Sequence, residues 1–292
     1  MYGAIAANKR NTVLIMAVFI GIIGALGYVA SLYFGDTYIT VWAILGAAIY
    51  ALIQYFAASK LAVMSTGAHE IQKRDNPRLY RIVENLSITI GIPMPKVYII
   101  DDPAPNAFAT GRDPKHAIVA ATTGILETMN DRELEAVMAH EMGHVQNYDI
   151  RVSMIAFGLV SAIGILSDIA LRMIFFGGGN RDRQISPPVM IIGIIVIILA
   201  PIIAALVQMA VSRQREYLAD ATGALTTRDP QGLASALEKL KSASRPMQRQ
   251  STSTAHLFFS NPLKPGTLAK LFSTHPPLDD RIARLRDTEG KF

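Results

Sequence analysis

Thr12 to Phe34 is a run without a single charge, and Ile39 to Ala58 is a second. A helix needs about 20 apolar residues to cross a bilayer, so each run predicts a membrane span and the pair predicts a tight hairpin. The joining loop carries Asp36 and no basic residue. Lys9 and Arg10 precede the first run, and Lys60, Lys73, Arg74 and Arg78 follow the second. This bias sets both ends of the hairpin on the cytosolic side. The first run is too long for the core of a cleaved signal peptide, and a second span follows it at once. Tyr33, Phe34, Tyr38 and Trp42 cluster at the loop, where amphipathic rings suit the headgroup boundary.

From Ser59 to Tyr148 the pattern becomes that of a soluble domain. Asn76-Pro77 opens a helix whose Leu79, Ile82, Val83, Leu86 and Ile90 form one apolar stripe ending at Gly91. Lys96 to Ile100, Asn106 to Thr110 and Ala117 to Ala121 read as short strands of a small sheet. Asn130 or Asp131 then caps a helix in which Glu133 supports the first turn and Leu134, Val137 and Met138 face inward. Farther on, Pro188 to Val211 has the length of a span, while Val152 to Phe176 is interrupted by Asp168 and Arg172, which stand at pairing distance on a helix. Polar character returns after Asp220, with a helix starting at Asp229-Pro230 and a last one at Thr274-His275-Pro276-Pro277. The chain thus divides into a membrane hairpin (1–60), a first part of a cytosolic domain (61–151), two further apolar helices (152–212) and a second part of that domain (213–292).

Candidate chemistry sits on the Asn130-capped helix, at His140-Glu141-Met142-Gly143-His144. Residues four apart share a helical face, so both imidazoles can bind one zinc ion while Glu141 faces the water on it. Gly143 leaves room there. Glu216 supplies a third, oxygen ligand, and Asp220, four residues later, can accept a hydrogen bond from the outer nitrogen of a ligating histidine. Taken alone, Glu216 and Asp220 would read as a solvated helix face. His275 is a second candidate, as an oxyanion stabiliser or equally as a packed helix-start residue. The edge of the sheet at Asn106, Ala107, Phe108 and Ala109 can hold an extended substrate by backbone hydrogen bonds, although scaffolding strands are commoner. His69, His116 and His256 have no partner pattern and read as structural.

Composition narrows this further. Without cysteine, disulfides and zinc thiolate sites are excluded, and any metal must be held by nitrogen and oxygen. With 51% hydrophobic and 17% charged residues and a mean hydropathy of +0.30, the chain is too apolar for an ordinary soluble enzyme. Its pI of about 9.4 suits anionic lipid headgroups. No nucleic-acid signature and no phosphate-binding glycine loop is present. One metal ion cannot be ligated from both sides of a bilayer, so the chain must cross an even number of times between His144 and Glu216. Either both apolar segments span or both pack on or within the cytosolic domain, and two further spans are the expectation.

Four stretches carry a family likeness: Asn106-Ala107-Phe108-Ala109-Thr110-Gly111, His140 to His144, Arg215-Glu216-Tyr217-Leu218-Ala219-Asp220 and Thr274-His275-Pro276-Pro277-Leu278. Together they resemble the HtpX family of bacterial membrane-bound heat-shock metalloproteases, which is related to the CAAX prenyl endopeptidases. The resemblance runs over nearly the whole length. It implies His140, His144 and Glu216 as ligands of one zinc ion and Glu141 as the catalytic base. It also implies quality control of misfolded or unfolded membrane proteins, in the bacterial cytoplasmic (inner) membrane, with the active site on the cytosolic side. The expected fold is a mainly α membrane protein whose transmembrane helices carry a cytosolic α+β zincin-like domain. A prenyl-protein endopeptidase would share the metal site and differ in its substrate chamber. An intramembrane protease is disfavoured because Asp131, Arg132, Glu133 and Glu135 make the helix too polar for lipid, and a transporter or scaffold would leave the histidines without a role.

Overall fold

The computed structural model describes residues 2–176, 215–243, 245–249, 257–260 and 276–287. Two long helices come first, α1 (Tyr2–Phe34) and α2 (Tyr38–Thr66). They form the expected hairpin, packed closely enough that a Cβ on Gly27 would lie 2.5 Å from that of Ala43. A later helix, α6 (Asp149–Phe176), lies against both. Phe19 and Ile23 of α1, Ala47 and Ala51 of α2, and Ile155, Leu159 and Ile163 of α6 form a buried seam. Outside that seam the helices expose large apolar side chains, among them Val13, Trp42 and Phe56, each more than 60% accessible. Such a surface is costly in water and suited to lipid. By length and composition all three helices can cross a membrane. The span expected over 188–211 and the side chains of Asp168 and Arg172 lie outside the described residues.

α2 continues beyond Lys60 to Thr66, where Ala58 and Ala62 pack on Ile100 and Phe108 of the polar domain. The domain is therefore joined to the membrane helix by continuous structure. Its sheet has the order β1-β2-β4-β3, with β1 (His69–Glu70), β2 (Lys96–Ile100), β3 (Ala107–Gly111) and β4 (Ala117–Thr122). β2 and β4 are parallel, and β3 returns antiparallel to β4 with Ala107 opposite Ala121 and Gly111 opposite Ala117. Three of the strands follow the expected positions within a residue. β1 has only two residues, too few for any periodicity to mark. α3 (Pro77–Ile90) begins where Asn76 accepts from Leu79 N–H and ends at Gly91 in the left-handed conformation. Its stripe of Leu79, Val83 and Leu86 is buried in the core beneath the sheet.

α5 (Asp131–Gln146) passes through that core, which explains why Leu134, Val137, Met138 and Met142 are fully buried. Asn130 caps it in a reciprocal capping box with Glu133. The Glu133 carboxylate also accepts from Lys239 Nζ at 2.6 Å, tying α5 to α8 (Pro230–Ser242). The short α4 (Thr123–Thr128) leads into this region from β4. A helix over 215–227, α7, crosses α5 at two glycines. A Cβ on Gly223 would stand 3.0 Å from His140 N, and one on Gly143 would meet Thr222 at 3.5 Å. Gly143 thus faces α7, and the room it leaves is filled by a helix. The last described helix, α9 (Leu278–Asp287), packs on α8 and brings Arg281 into the interior.

Candidate metal centre

His140 and His144 project from the same face of α5, and α7 brings Glu216 opposite them. The two Nε2 atoms lie 3.2 Å apart. Glu216 Oε1 is 3.3 Å from His144 Nε2, and Glu216 Oε2 is 3.8 Å from His140 Nε2. The outer nitrogens are held by carboxylates: His140 Nδ1 by Asp220 Oδ1 at 2.9 Å and His144 Nδ1 by Asp149 Oδ2 at 3.1 Å. When each Nδ1–H donates to its carboxylate, each Nε2 presents a lone pair. Two lone pairs and a carboxylate then converge at one point, an arrangement that is repulsive without a cation. Tetrahedral ligands about 2.0–2.1 Å from a metal sit roughly 3.3 Å from one another, so the observed spacings fit a shared ion. Among the described residues this is the one group of three histidine or carboxylate side chains that fits a metal.

The surroundings set the charge states. Burial pushes the Glu141 carboxyl up to about 7, helped by the nearby Glu216, while His144, Arg281 and an Ala109 N–H donated to it pull the other way. Burial lowers His140 to about 4 despite the Asp220 carboxylate. At His144 burial also favours the neutral ring, but hydrogen bonds donated by the ring to the Asp149 and Glu216 carboxylates outweigh it and raise the value to about 10. In the metal-free chain the two carboxylates thus favour the protonated form of the His144 ring. Arg281, fully buried, donates Nε and Nη2 to the two Asp220 oxygens at 2.9 and 2.7 Å. Its Nη1 lies 3.4 Å from Glu216 Oε2.

A pH dependence follows from these values. Metal binding must displace the His144 proton, whereas His140 is already neutral above about pH 5. Between about pH 5 and 9 the apparent metal affinity is therefore expected to rise about tenfold per pH unit, with one proton released. Calorimetry in buffers of different ionisation enthalpy measures that proton; a pH-independent affinity would show that no ligand proton is displaced.

The remaining candidate residues are placed less uniformly. Ala109 on β3 borders the metal group. The earlier part of the same edge is occupied by the chain itself: Phe258 bridges Phe108, and Ala107 C=O accepts from Phe259 N–H at 2.8 Å. Asn106 clamps Ser260, donating to its carbonyl at 2.7 Å and accepting from its N–H at 3.0 Å. The Phe259 ring stands edge-on to His140, with centroids 4.8 Å apart. His275 lies outside the described residues.

Periodicity gave no signal for Asp149 and Arg281. Asp149 follows the end of α5, and Tyr148, at a φ of 63°, turns the chain so that its neighbour's carboxylate points back at His144. Arg281 stands beside Ile282 on an amphipathic helix, where no spacing to the other site residues marks it.

A polar α+β domain, continuous with membrane-type helices and holding two histidines and a carboxylate around one point, is that of a membrane-bound metallopeptidase. Residues 73–289 match the profile described as Peptidase family M48. A protease HtpX homolog from Tropheryma whipplei (strain Twist) is 59% identical over 292 residues, with all of both chains covered. Another HtpX homolog, from Lactobacillus acidophilus, is 48% identical over 98% of this chain and 99% of its own. The chain belongs to peptidase family M48, among the HtpX proteases that these relatives represent. A crystal structure of S. mikatae Ste24p shares the fold, with a TM-score of 0.54 at 20% identity, covering 98% of this chain and 67% of that one.

Proposed function

We propose that this protease binds one zinc ion through His140, His144 and Glu216 and cleaves misfolded or damaged membrane proteins at the cytosolic face of the bacterial inner membrane. The observation that carries the reading is the convergence of two Nε2 atoms 3.2 Å apart and the Glu216 carboxylate, with both Nδ1 atoms already committed to carboxylates. Bound zinc would supply Lewis acidity, lowering the pKa of a water toward ~7 and polarising the scissile carbonyl. Glu141, raised to about 7 by burial, is matched to take the proton of the attacking water and pass it to the departing amine. The Ala109 N–H holds the carboxylate in place for this. An extended peptide would pair with the β3 edge at Asn106, Ala107, Phe108 and Ala109, taking the place now held by residues 258–260.

The hairpin's charge bias supports a cytosolic site, since Lys9, Arg10 and Lys60 flank the two spans on the side of the polar domain. Cysteines introduced at Gln146 and Ser212 are expected to react with an impermeant label from the same, cytosolic side of sealed vesicles. Labelling from opposite sides would refute shared metal ligation.

Cleavage by the purified, full-length chain in lipid nanodiscs tests the reaction itself. An unfolded membrane-protein substrate should be cut only with zinc restored after chelation, and a prenylated peptide no faster than its unprenylated twin. A marked preference for the prenylated peptide would favour a prenyl-protein endopeptidase, and cleavage indifferent to chelation would end the metal reading.

A further inference from the structure

Asn8 is buried, 6% exposed, although Lys9 and Arg10 beside it on α1 face outward. Its amide Nδ2 donates to Asp149 Oδ1 at 2.6 Å and to Asn147 C=O at 2.8 Å. Lys9 Nζ lies 4.8 Å from the centre of the Tyr148 ring. Two adjacent residues of the first membrane helix therefore grip the two-residue turn between α5 and α6 and the first residue of α6. Asp149 is itself buried, and its other oxygen, Oδ2, is the partner of His144 Nδ1.

From this chain of contacts we infer that Asn8 is a positioning residue for the metal centre, acting through Asp149 on His144. A carboxylate held at one oxygen can still rotate about its Cβ–Cγ bond. The Asn8 N–H, fixed in the amide plane and anchored a second time on Asn147 C=O, locks the Asp149 carboxylate so that Oδ2 stays on the imidazole. That hydrogen bond keeps the proton on Nδ1 and leaves Nε2 free to bind metal. The orientation of a ligand in the polar domain then depends on a side chain contributed by the first membrane helix. This goes beyond the proposed reaction and rests on His144 being a ligand.

Metal affinity of the full-length chain in detergent, measured by competition with a chromogenic chelator, tests the inference. Asn8→Ala is expected to weaken zinc binding about tenfold, the low end for loss of a partner of a ligating histidine. Asp149→Asn should weaken it more, and the double variant should be no weaker than Asp149→Asn, because residues acting in one network are not additive. Asn8→Ser, which keeps a shorter donor, should bind between wild type and Asn8→Ala, and it carries the test should the alanine variant not fold. Lys9→Ala disturbs the same turn without touching Asp149, so its affinity should match wild type. The visible spectrum of the cobalt-substituted protein should shift in Asn8→Ala and not in Lys9→Ala. Wild-type affinity and spectrum in both Asn8 variants, or additive losses in the double variant, would overturn the proposal. His144→Ala separates the two layers: metal binding retained there would remove the ligand assignment, while metal lost there and unchanged in the Asn8 variants would remove only the role of Asn8.

Discussion

Replacing Glu141 by glutamine is expected to lower kcat/KM for peptide cleavage on the order of 10³-fold, within the range that general acid–base groups contribute. Zinc content and melting temperature should stay near wild type. Glutamine has the same shape, and its carbonyl oxygen can accept the Ala109 N–H that the carboxylate now accepts. Burial opposes charge at this position, so a neutral amide there avoids the cost of burying a charge. What the amide lacks is the ability to take a proton from water. Steady-state kinetics, metal analysis and a melting curve on the one variant decide the outcome together. Near-wild-type cleavage would sink Glu141 as the base, and loss of metal would mean that the side chain is a ligand.

Glu216→Gln and Asp220→Asn are expected to fail in different ways, although both replace a buried acid on α7. Glu216→Gln removes the anionic member of the group and should abolish both zinc retention and most activity, while the Asp220–Arg281 pairing is untouched. Asp220→Asn should cost about 10- to 100-fold in zinc affinity, because it orients His140 without touching the metal position. It carries a second penalty that its spacing from Glu216 does not reveal. Arg281 is fully buried and would lose its bidentate partner, and breaking such a pair costs about 3–5 kcal/mol. Excess zinc should therefore restore activity to Asp220→Asn only below its lowered melting temperature. Zinc titration beside melting of the metal-free proteins separates the two. If Asp220→Asn loses metal and Glu216→Gln keeps it, the third ligand is misassigned.

Much of this protein is written in local patterns. Charge-free runs long enough to cross a bilayer, an asparagine–glutamate capping box and histidines one helical turn apart are each local signals. Hydrophobicity, helix capping and helical periodicity act over that range, and so the two membrane helices, three of the four strands and the helical face shared by His140 and His144 could be read directly. Glu216 and Asp220 could be read as a pair, but only the HExxH motif gave them a purpose.

Tertiary structure decided everything that depends on residues meeting from distant parts of the chain. Asp149 serves His144 because a left-handed turn at Tyr148 redirects the backbone. Arg281 sits inside because α9 packs on α8 and supplies a countercharge for two buried acids. Asn8 reaches the site because α1 packs along α6, and residues 258–260 cover part of the edge that an extended substrate would use. The physical reason is common to all four. An ionic or hydrogen-bonded partner is chosen by proximity in a medium where an unpaired buried charge is costly, and proximity is a property of packing that no spacing along the chain records.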